Sequence, residues 1–207
     1  MNYPASSLIR AISRAGSYEL PCYFRKDEVE KIINACDQKG WRELALIVDF
    51  LWKTGVRVSE MIKIKYCDMD PYMKTIKVIT LKKSRKKVRG RKPIIKAERI
   101  IPIPDDLINR INLRRIETKA KNEDLIFPYT RSTIFRKVKK ACLAAGMDTK
   151  RSHPHTFRHS FAVHLLRNGV PVTVVQRLLG HSSIENTTIY LAIVQKDVEE
   201  FVRKVKW

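Results

Sequence analysis

The stretch whose reading decides the fold is WRELALIVDFLWKTG, Trp41 to Gly55. Drawn as a helix it is apolar nearly all round, so it has no broad face to offer to water. Such a helix belongs in the centre of a helical domain, and Gly55 is a fitting C-terminal stop. Upstream, KDEVEKIINACDQ reads as an amphipathic helix with Val29, Ile32, Ile33 and Cys36 on one face. Downstream, VRVSEMIKI suggests a short helix with Ser59 near its start. TIKVITL, Thr75 to Leu81, is β-branched and alternating and reads as a strand; ERIIPIP, from Glu98, matches it. The two predict a hairpin with a long loop from Lys82 to Ala97.

From Asp105 the pattern is helical again. DDLINRINLRRIE, STIFRKVKKACLAAG ending at Gly146 and HTFRHSFAVHLLRNG ending at Gly169 are three helices. VTVVQRLLG follows, and a final pair, IENTTIYLAI and KDVEEFVRKV, closes the chain. The expected fold class is mainly α with a small antiparallel β-hairpin. Residues 1–20, with Pro4, Ser6, Ser7, Ser13, Gly16 and Ser17, show little periodicity and read as an N-terminal lead-in or linker. Residues 21–207 read as one domain that includes the C-terminal tail helix. At 207 residues and 44% hydrophobic content the chain can bury a respectable core.

Charge narrows the function. Forty-two Lys and Arg against twenty-one Asp and Glu leave a formal net of +21, more than solubility needs. A balance of that size suits a polyanion, and nucleic acid leads because displaced counterions make many phosphate contacts add up to affinity. No apolar run approaches the roughly 20 residues of a membrane span, and Met1 to Leu20 lacks the apolar core of a signal peptide. The expected location is cytoplasmic, associated with the nucleoid. Cysteines 22, 36, 67 and 142 are widely spaced with no C-x-x-C, which suggests neither a disulfide framework nor a zinc site.

Between Lys82 and Arg99, KKSRKKVRGRKPIIKAER holds ten Lys or Arg and a single Glu. Like charges this dense repel one another until an anion neutralises them. Arg85, Lys86, Lys87, Arg89, Arg91 and Lys92 are the expected contacts to a DNA backbone; the plain alternative is a solvated loop.

Four dispersed pieces matter together. TGVRVSE places Arg57 and Glu60 one helical turn apart. HTFRHSFAVHLL places His155 and Arg158 on one helix face, with His159 one residue on. LLGHSS puts His181 directly after a glycine stop, and NTTIYLAI puts Tyr190 nine residues later. These segments resemble, in order and spacing, the conserved boxes of the tyrosine recombinase (phage integrase) family. TGVRVSE resembles its first arginine box, HPHTFRHSFAVHLL its H-x-x-R box, and LLGHSSIENTTIY its histidine-to-tyrosine box. The similarity runs from about Tyr23 to about Val198.

The chemistry of these residues agrees. Breaking a phosphodiester without a metal requires neutralising the non-bridging oxygens as charge builds on them. Arg57 and Arg158 can clamp a phosphate from two sides, since a guanidinium stays charged and meets phosphate oxygens in two-point contact. His155 and His181 can hydrogen-bond or move a proton. Tyr190 supplies the nucleophile; with a free pKa of about 10 it needs a nearby cation or base. His181 is the preferred proton acceptor and His155 the second.

The resemblance implies more. A lysine after the first arginine box protonates the leaving 5′-hydroxyl, and Lys82 is the best match, Lys83 a close second. The family's compact glycine-flanked turn is replaced here by a longer, more basic loop. Glu60 matches an acidic residue that holds Arg57 in its rotamer. The implied enzyme is a metal- and ATP-independent site-specific recombinase working through a 3′-phosphotyrosyl intermediate, in integration, excision or inversion. Its partner is double-stranded DNA, with a homotetramer on paired sites and a monomer as the state off DNA. No cofactor is expected. The tail stripe Val198, Phe201, Val202 and Val205 suits docking on a neighbouring protomer or on its own core. Only about twenty residues precede the catalytic region, which suits either a piece of a longer protein or a minimal recombinase.

Each residue has a duller reading. Arg57 alone is a surface arginine, and Tyr190 alone is a core aromatic in IYLAI. His155, His159 and His164 carry metal-like i, i+4 spacing but lack an evident third ligand, so no metal is expected. His159 and His164 are read as structural or as neighbours of a phosphate. Two rival functions use similar residues: type IB topoisomerase-like relaxation, against which the H-x-x-R and LGH boxes count, and a non-cleaving DNA-binding protein on the same scaffold.

Overall fold

A computed structural model describes the backbone of residues 21–83, 94–181 and 183–204, with side chains outside 81–83, 94–96, 185 and 196–204. The helix Trp41 introduces, α2 (Arg42–Thr54), occupies the centre its sequence demands. Every residue from Leu44 to Trp52 is buried. It touches α1 (Lys26–Gln38), α4 (Asp105–Thr118), α5 (Arg131–Ala144) and α6 (Pro154–Arg167). The remaining helices are the four-residue α3 (Val58–Met61), α7 (Val172–Leu179) and α8 (Glu185–Lys204).

Three antiparallel strands lie in the order β1 (Met69–Asp70), β2 (Thr75–Lys83) and β3 (Ile94–Pro102). The hairpin is longer than the sequence reading expected. Lys82 pairs with Ile95 and Lys83 with Ile94, so the strands carry on past Leu81 and begin before Glu98. The β-branched Ile94 and Ile95 sustain the ladder. The short β1 was not anticipated. It reaches β2 through a turn in which Asp70 Oδ1 accepts from the backbone of Tyr72 at 3.0 Å and Met73 at 2.9 Å. The final helical pair is instead one helix, α8, because neither Gly nor Pro interrupts the chain between Glu185 and Lys204. The lead-in 1–20, the loop cations Arg85, Lys86, Lys87, Arg89, Arg91 and Lys92, and Val205 lie outside the described residues, as do the side chains of Val198, Phe201 and Val202.

Two apolar clusters result. The larger gathers α1 to α5 and the inner face of the hairpin. A smaller one joins α6, α7 and α8 through Phe161, Leu166, Val175, Leu179, Tyr190 and Ile193. α6 bridges both. Pro154 opens its first turn with φ already set for a helix. Its Ser160 Oγ accepts from the Phe24 backbone N–H at 2.7 Å, tying the entering chain to it.

Gly55 is the tightest junction between the clusters. It caps α2 at φ 59°, in left-handed conformation. A Cβ built there would run into the ring of Phe161 on α6. Gly55→Ala therefore combines left-handed strain with overpacking and should cost roughly 2–4 kcal/mol, lowering Tm on the order of 5–15 °C. Scanning calorimetry checks this; a Tm within a degree or two of the native value would mean that α2 and α6 part freely here. All four cysteines are free thiols, Cys36 and Cys142 buried and Cys22 and Cys67 exposed.

Candidate active site

The chain turns at Gly55 and enters α3, and Arg57 stands just before that helix as its N-cap. Glu60, one turn on, reaches back: Oε2 accepts from the Arg57 backbone N–H at 2.8 Å and Oε1 from Arg57 Nη1 at 3.2 Å. The acidic residue thus holds Arg57 by both backbone and side chain. Glu60 is itself buried and also accepts from Thr80 Oγ1 at 2.6 Å and from both Nη atoms of Arg99, at 3.1 and 2.7 Å. Burial opposes ionisation of this carboxyl, but the hydrogen bonds and charge of Arg99, with Thr80 and the Arg57 N–H, outweigh it and bring its pKa down to about 2.

Arg158 rises from the middle of α6 and is buried. Its Nη1 donates to the Gly55 carbonyl at 2.6 Å and its Nη2 to the Leu179 carbonyl at 2.7 Å. It therefore ties the C-terminal ends of α2 and α7 together, where a cation also meets the negative end of each helix dipole. Burial, then the charge of Arg57, pushes its pKa down to about 9, which leaves it charged at neutral pH. Two guanidinium groups that feel one another are held here by the fold, with Glu60 as the buried carboxylate between Arg57 and Arg99.

Tyr190 lies on α8 with only 3% of its surface exposed, and its hydroxyl is 2.8 Å from Nδ1 of His159. Burial raises its pKa, while Arg158 and Arg57 work against that rise. The sequence reading preferred His181 as the proton acceptor, with His155 second. His181 does follow the left-handed cap Gly180 at the end of α7, but its Nδ1 pairs with Thr187 Oγ1 at 2.9 Å. His159 takes the place beside Tyr190, one residue after Arg158 and one turn after His155, whose ring centroid is 6.4 Å from its own. That adjacency in HTFRH was the available signal; the sequence reading left His159 as structural or as a neighbour of a phosphate. His155 is exposed in the first turn of α6.

All of these imidazoles resist protonation. Burial, then His155 and Arg158, lowers His159 to about 4. Burial, then Arg158 and Arg57, lowers His181 to about 3. Partial burial, then the charges of Arg158, His153, Arg57 and Arg131, holds His155 below its ordinary value. The consequence for stability has a definite sign. Above the ordinary pKa of 6.5 both folded and unfolded chains are neutral at His159 and His181. As the pH falls from 6.5 toward 4 the unfolded chain takes up protons that the folded one refuses, so stability must drop. Tm should decline across that window, and His181→Asn should flatten the slope; an unchanged slope would show that His181 protonates freely in the folded protein.

Arg99 is a residue the sequence reading passed over. Along β3 it shares the inward face with Ile101, opposite Val78, at a position where the alternation calls for an apolar side chain. Lys82 and Lys83 fall within β2, Lys82 two positions beyond the anchored Thr80. Among the described residues no group of three or more His, Cys, Asp or Glu is placed to hold a metal ion. No helix among them is long and apolar enough to cross a membrane.

The catalytic domain of bacteriophage HP1 integrase has the same fold, with a TM-score of 0.59 at 25% identity, covering 90% of this chain and 95% of that one. The XerH site-specific recombinase, in a crystal structure of a post-cleavage complex with palindromic difH substrate, gives 0.67 at 20% identity over 90% of this chain and 54% of that one. That second likeness is one of fold. The tyrosine recombinase XerA of Pyrococcus furiosus is 34% identical over 196 residues, 89% of this chain. This chain spans 62% of that relative's length. The sequence pattern of the phage integrase family matches residues 23–196, almost the whole of the described chain, and the protein belongs to that family.

Proposed function

We propose that this chain cleaves and rejoins DNA as a site-specific recombinase, with residues 21–207 as its catalytic unit. One observation carries the reading. The Tyr190 hydroxyl is buried 2.8 Å from Nδ1 of His159, and the charges of Arg158 and Arg57 act on it against the rise that burial imposes on its pKa. A site so cationic, with its histidines kept neutral, is completed by an anion, and the net charge of +21 suits an extended polyanion.

The steps balance without an external energy source. Tyr190 Oη attacks a DNA phosphorus and the P–O5′ bond breaks. The tyrosine proton passes to an imidazole, His159 being the one in contact. The leaving 5′-oxygen takes a proton from Lys82 or Lys83. The product is a 3′-phosphotyrosyl ester and a free 5′-hydroxyl. A 5′-hydroxyl from a partner duplex then attacks the ester, restoring Tyr190 and joining the strands. Arg57 and Arg158 neutralise the non-bridging oxygens as charge develops, and His155 and His181 add hydrogen bonds to the same group. A bound phosphate also returns negative charge to the site and so raises the basicity of the imidazoles. The names of the relatives favour strand exchange over relaxation. The working assembly in this reading is a homotetramer on paired duplex sites, monomeric off DNA, in the cytoplasm and on the nucleoid. Arg85, Lys86, Lys87, Arg89, Arg91 and Lys92 are assigned to the DNA backbone.

The test is covalent trapping. The protein is incubated in EDTA with nicked duplexes of random sequence, denatured in SDS, and assayed for DNA that stays attached. The nick lets the short 5′ fragment diffuse away, so a cleaved strand cannot religate. Adducts that form in EDTA support the proposal; DNA binding without adducts favours a non-cleaving protein on this scaffold.

A further inference from the structure

Arg99 stands where β3 crosses the end of α7. Nε donates to the Leu178 carbonyl at 2.7 Å, and Nη1 donates to Thr80 Oγ1 at 2.5 Å and to Glu60 Oε1 at 3.1 Å. Nη2 donates to Glu60 Oε2 at 2.7 Å, completing a two-point pair with that carboxylate. The neighbouring carbonyl, Leu179, is taken by Arg158. Two guanidinium groups therefore hold successive carbonyls at the C-terminus of α7, immediately before Gly180 and His181. Gly180 lies so close that a Cβ there would be 3.1 Å from Arg99 Nη1. Arg99 is thus joined at one end to the carboxylate that holds Arg57 and at the other to the turn that presents His181. Arg99 makes four hydrogen bonds to protein acceptors against two for Arg158, so Arg158 keeps more of its donors for a phosphate and Arg99 is committed to the protein.

We infer that Arg99 is a positioning residue, which sets the distance between Arg57 and His181 by pinning Glu60, Thr80 and the α7 C-terminus into one network. The arrangement has a chemical logic. α3 and α7 are separated in sequence by more than a hundred residues and belong to different apolar clusters, so packing alone leaves their spacing loose. A planar fork with donors on both edges can bridge a carboxylate and a carbonyl at once; an ammonium group, a point charge on a flexible stem, cannot. Thr80 lies on β2, so the same network also fixes the strand that continues to Lys82 and Lys83.

The inference rests on the recombinase reading, and its test separates the two. Arg99→Lys keeps the charge and spares Glu60 from being left unpaired. Thr80→Val is the milder companion, removing one hydrogen-bonding partner with little change of shape. The chain has five histidines, so isotope labelling at histidine resolves each ring by NMR in the 207-residue chain without DNA. Arg99→Lys should move the His181 resonance and leave His164, on the far end of α6, unmoved, with Thr80→Val giving a smaller displacement. On nicked duplexes the rate of adduct formation at saturating DNA should fall about 10²-fold, as expected for misplaced catalytic groups, while DNA affinity stays within about threefold. His181 resonances at native positions in Arg99→Lys would overturn the inference whatever the activity. A native protein that forms no adduct would remove the recombinase reading, yet the spectra would still decide whether Arg99 places His181. An adduct rate unchanged in Arg99→Lys beside an active native protein would also overturn it.

Discussion

Tyr190→Phe is expected to abolish covalent trapping of DNA while leaving DNA binding and the fold in place. Only the hydroxyl is removed, and that oxygen is the atom the proposed ester requires. Loss of a nucleophile that acts as a unit with its neighbours should lower the rate by at least about 10⁴-fold. The ring stays within the α6–α7–α8 cluster, so packing is retained. The hydroxyl pairs with His159, so its removal leaves one half-buried imidazole nitrogen short of a partner, a change of about 1 kcal/mol. The comparison is made by gel on native and variant protein with the same nicked duplexes, with binding followed by fluorescence anisotropy. Adducts that persist in Tyr190→Phe would transfer the chemistry to another residue and end the assignment.

Arg158 should show the second large effect, because one side chain serves both fold and chemistry. Arg158→Met removes the donors to the Gly55 and Leu179 carbonyls. Two buried acceptors left without partners cost about 2–5 kcal/mol together, lowering Tm on the order of 5–15 °C. Cleavage should fall at least about 10²–10³-fold, the usual consequence of removing one group that stabilises developing charge. Arg158→Lys separates the two roles. It restores a cation, but a compact ammonium cannot span two carbonyls on different helices, so stability recovers in part and cleavage remains low. Calorimetry and trapping on both variants check this. Near-native cleavage in Arg158→Lys would show that charge alone suffices and that the fork geometry is incidental.

These two residues also show how far the linear chain carries the reading. The central helix was legible because WRELALIVDFLWKTG leaves no polar face, and burial of every residue from Leu44 to Trp52 follows from that. Tyr190, Arg57, Arg158 and His181 were legible as a set because their spacing matches a family pattern. The turns that present them, at Gly55 and Gly180, carry glycines where a left-handed residue is required.

What the chain could not disclose is which of these groups touch. His181 was preferred as proton acceptor for its imidazole and its place in the histidine-to-tyrosine box, whereas contact in the folded chain depends on how α8 rotates against α6. That rotation is set by the packing of Tyr190 and Ile193 on Phe161, Ala162 and Leu179, and it turns the hydroxyl to His159. Arg99 was hidden for a related reason. It falls in the strand segment ERIIPIP and closes a run of ten like charges, and neither setting marks it out. Its true environment exists only once strand pairing places it opposite Val78 and folding brings Glu60 and Leu178 to its two edges. The sequence by itself determined the helical class, the family and the residue types available for phosphate chemistry, since these depend on local pattern and composition. Only the tertiary structure decided which imidazole meets the nucleophile and which arginine holds the site together, because both depend on contacts between segments far apart in the chain.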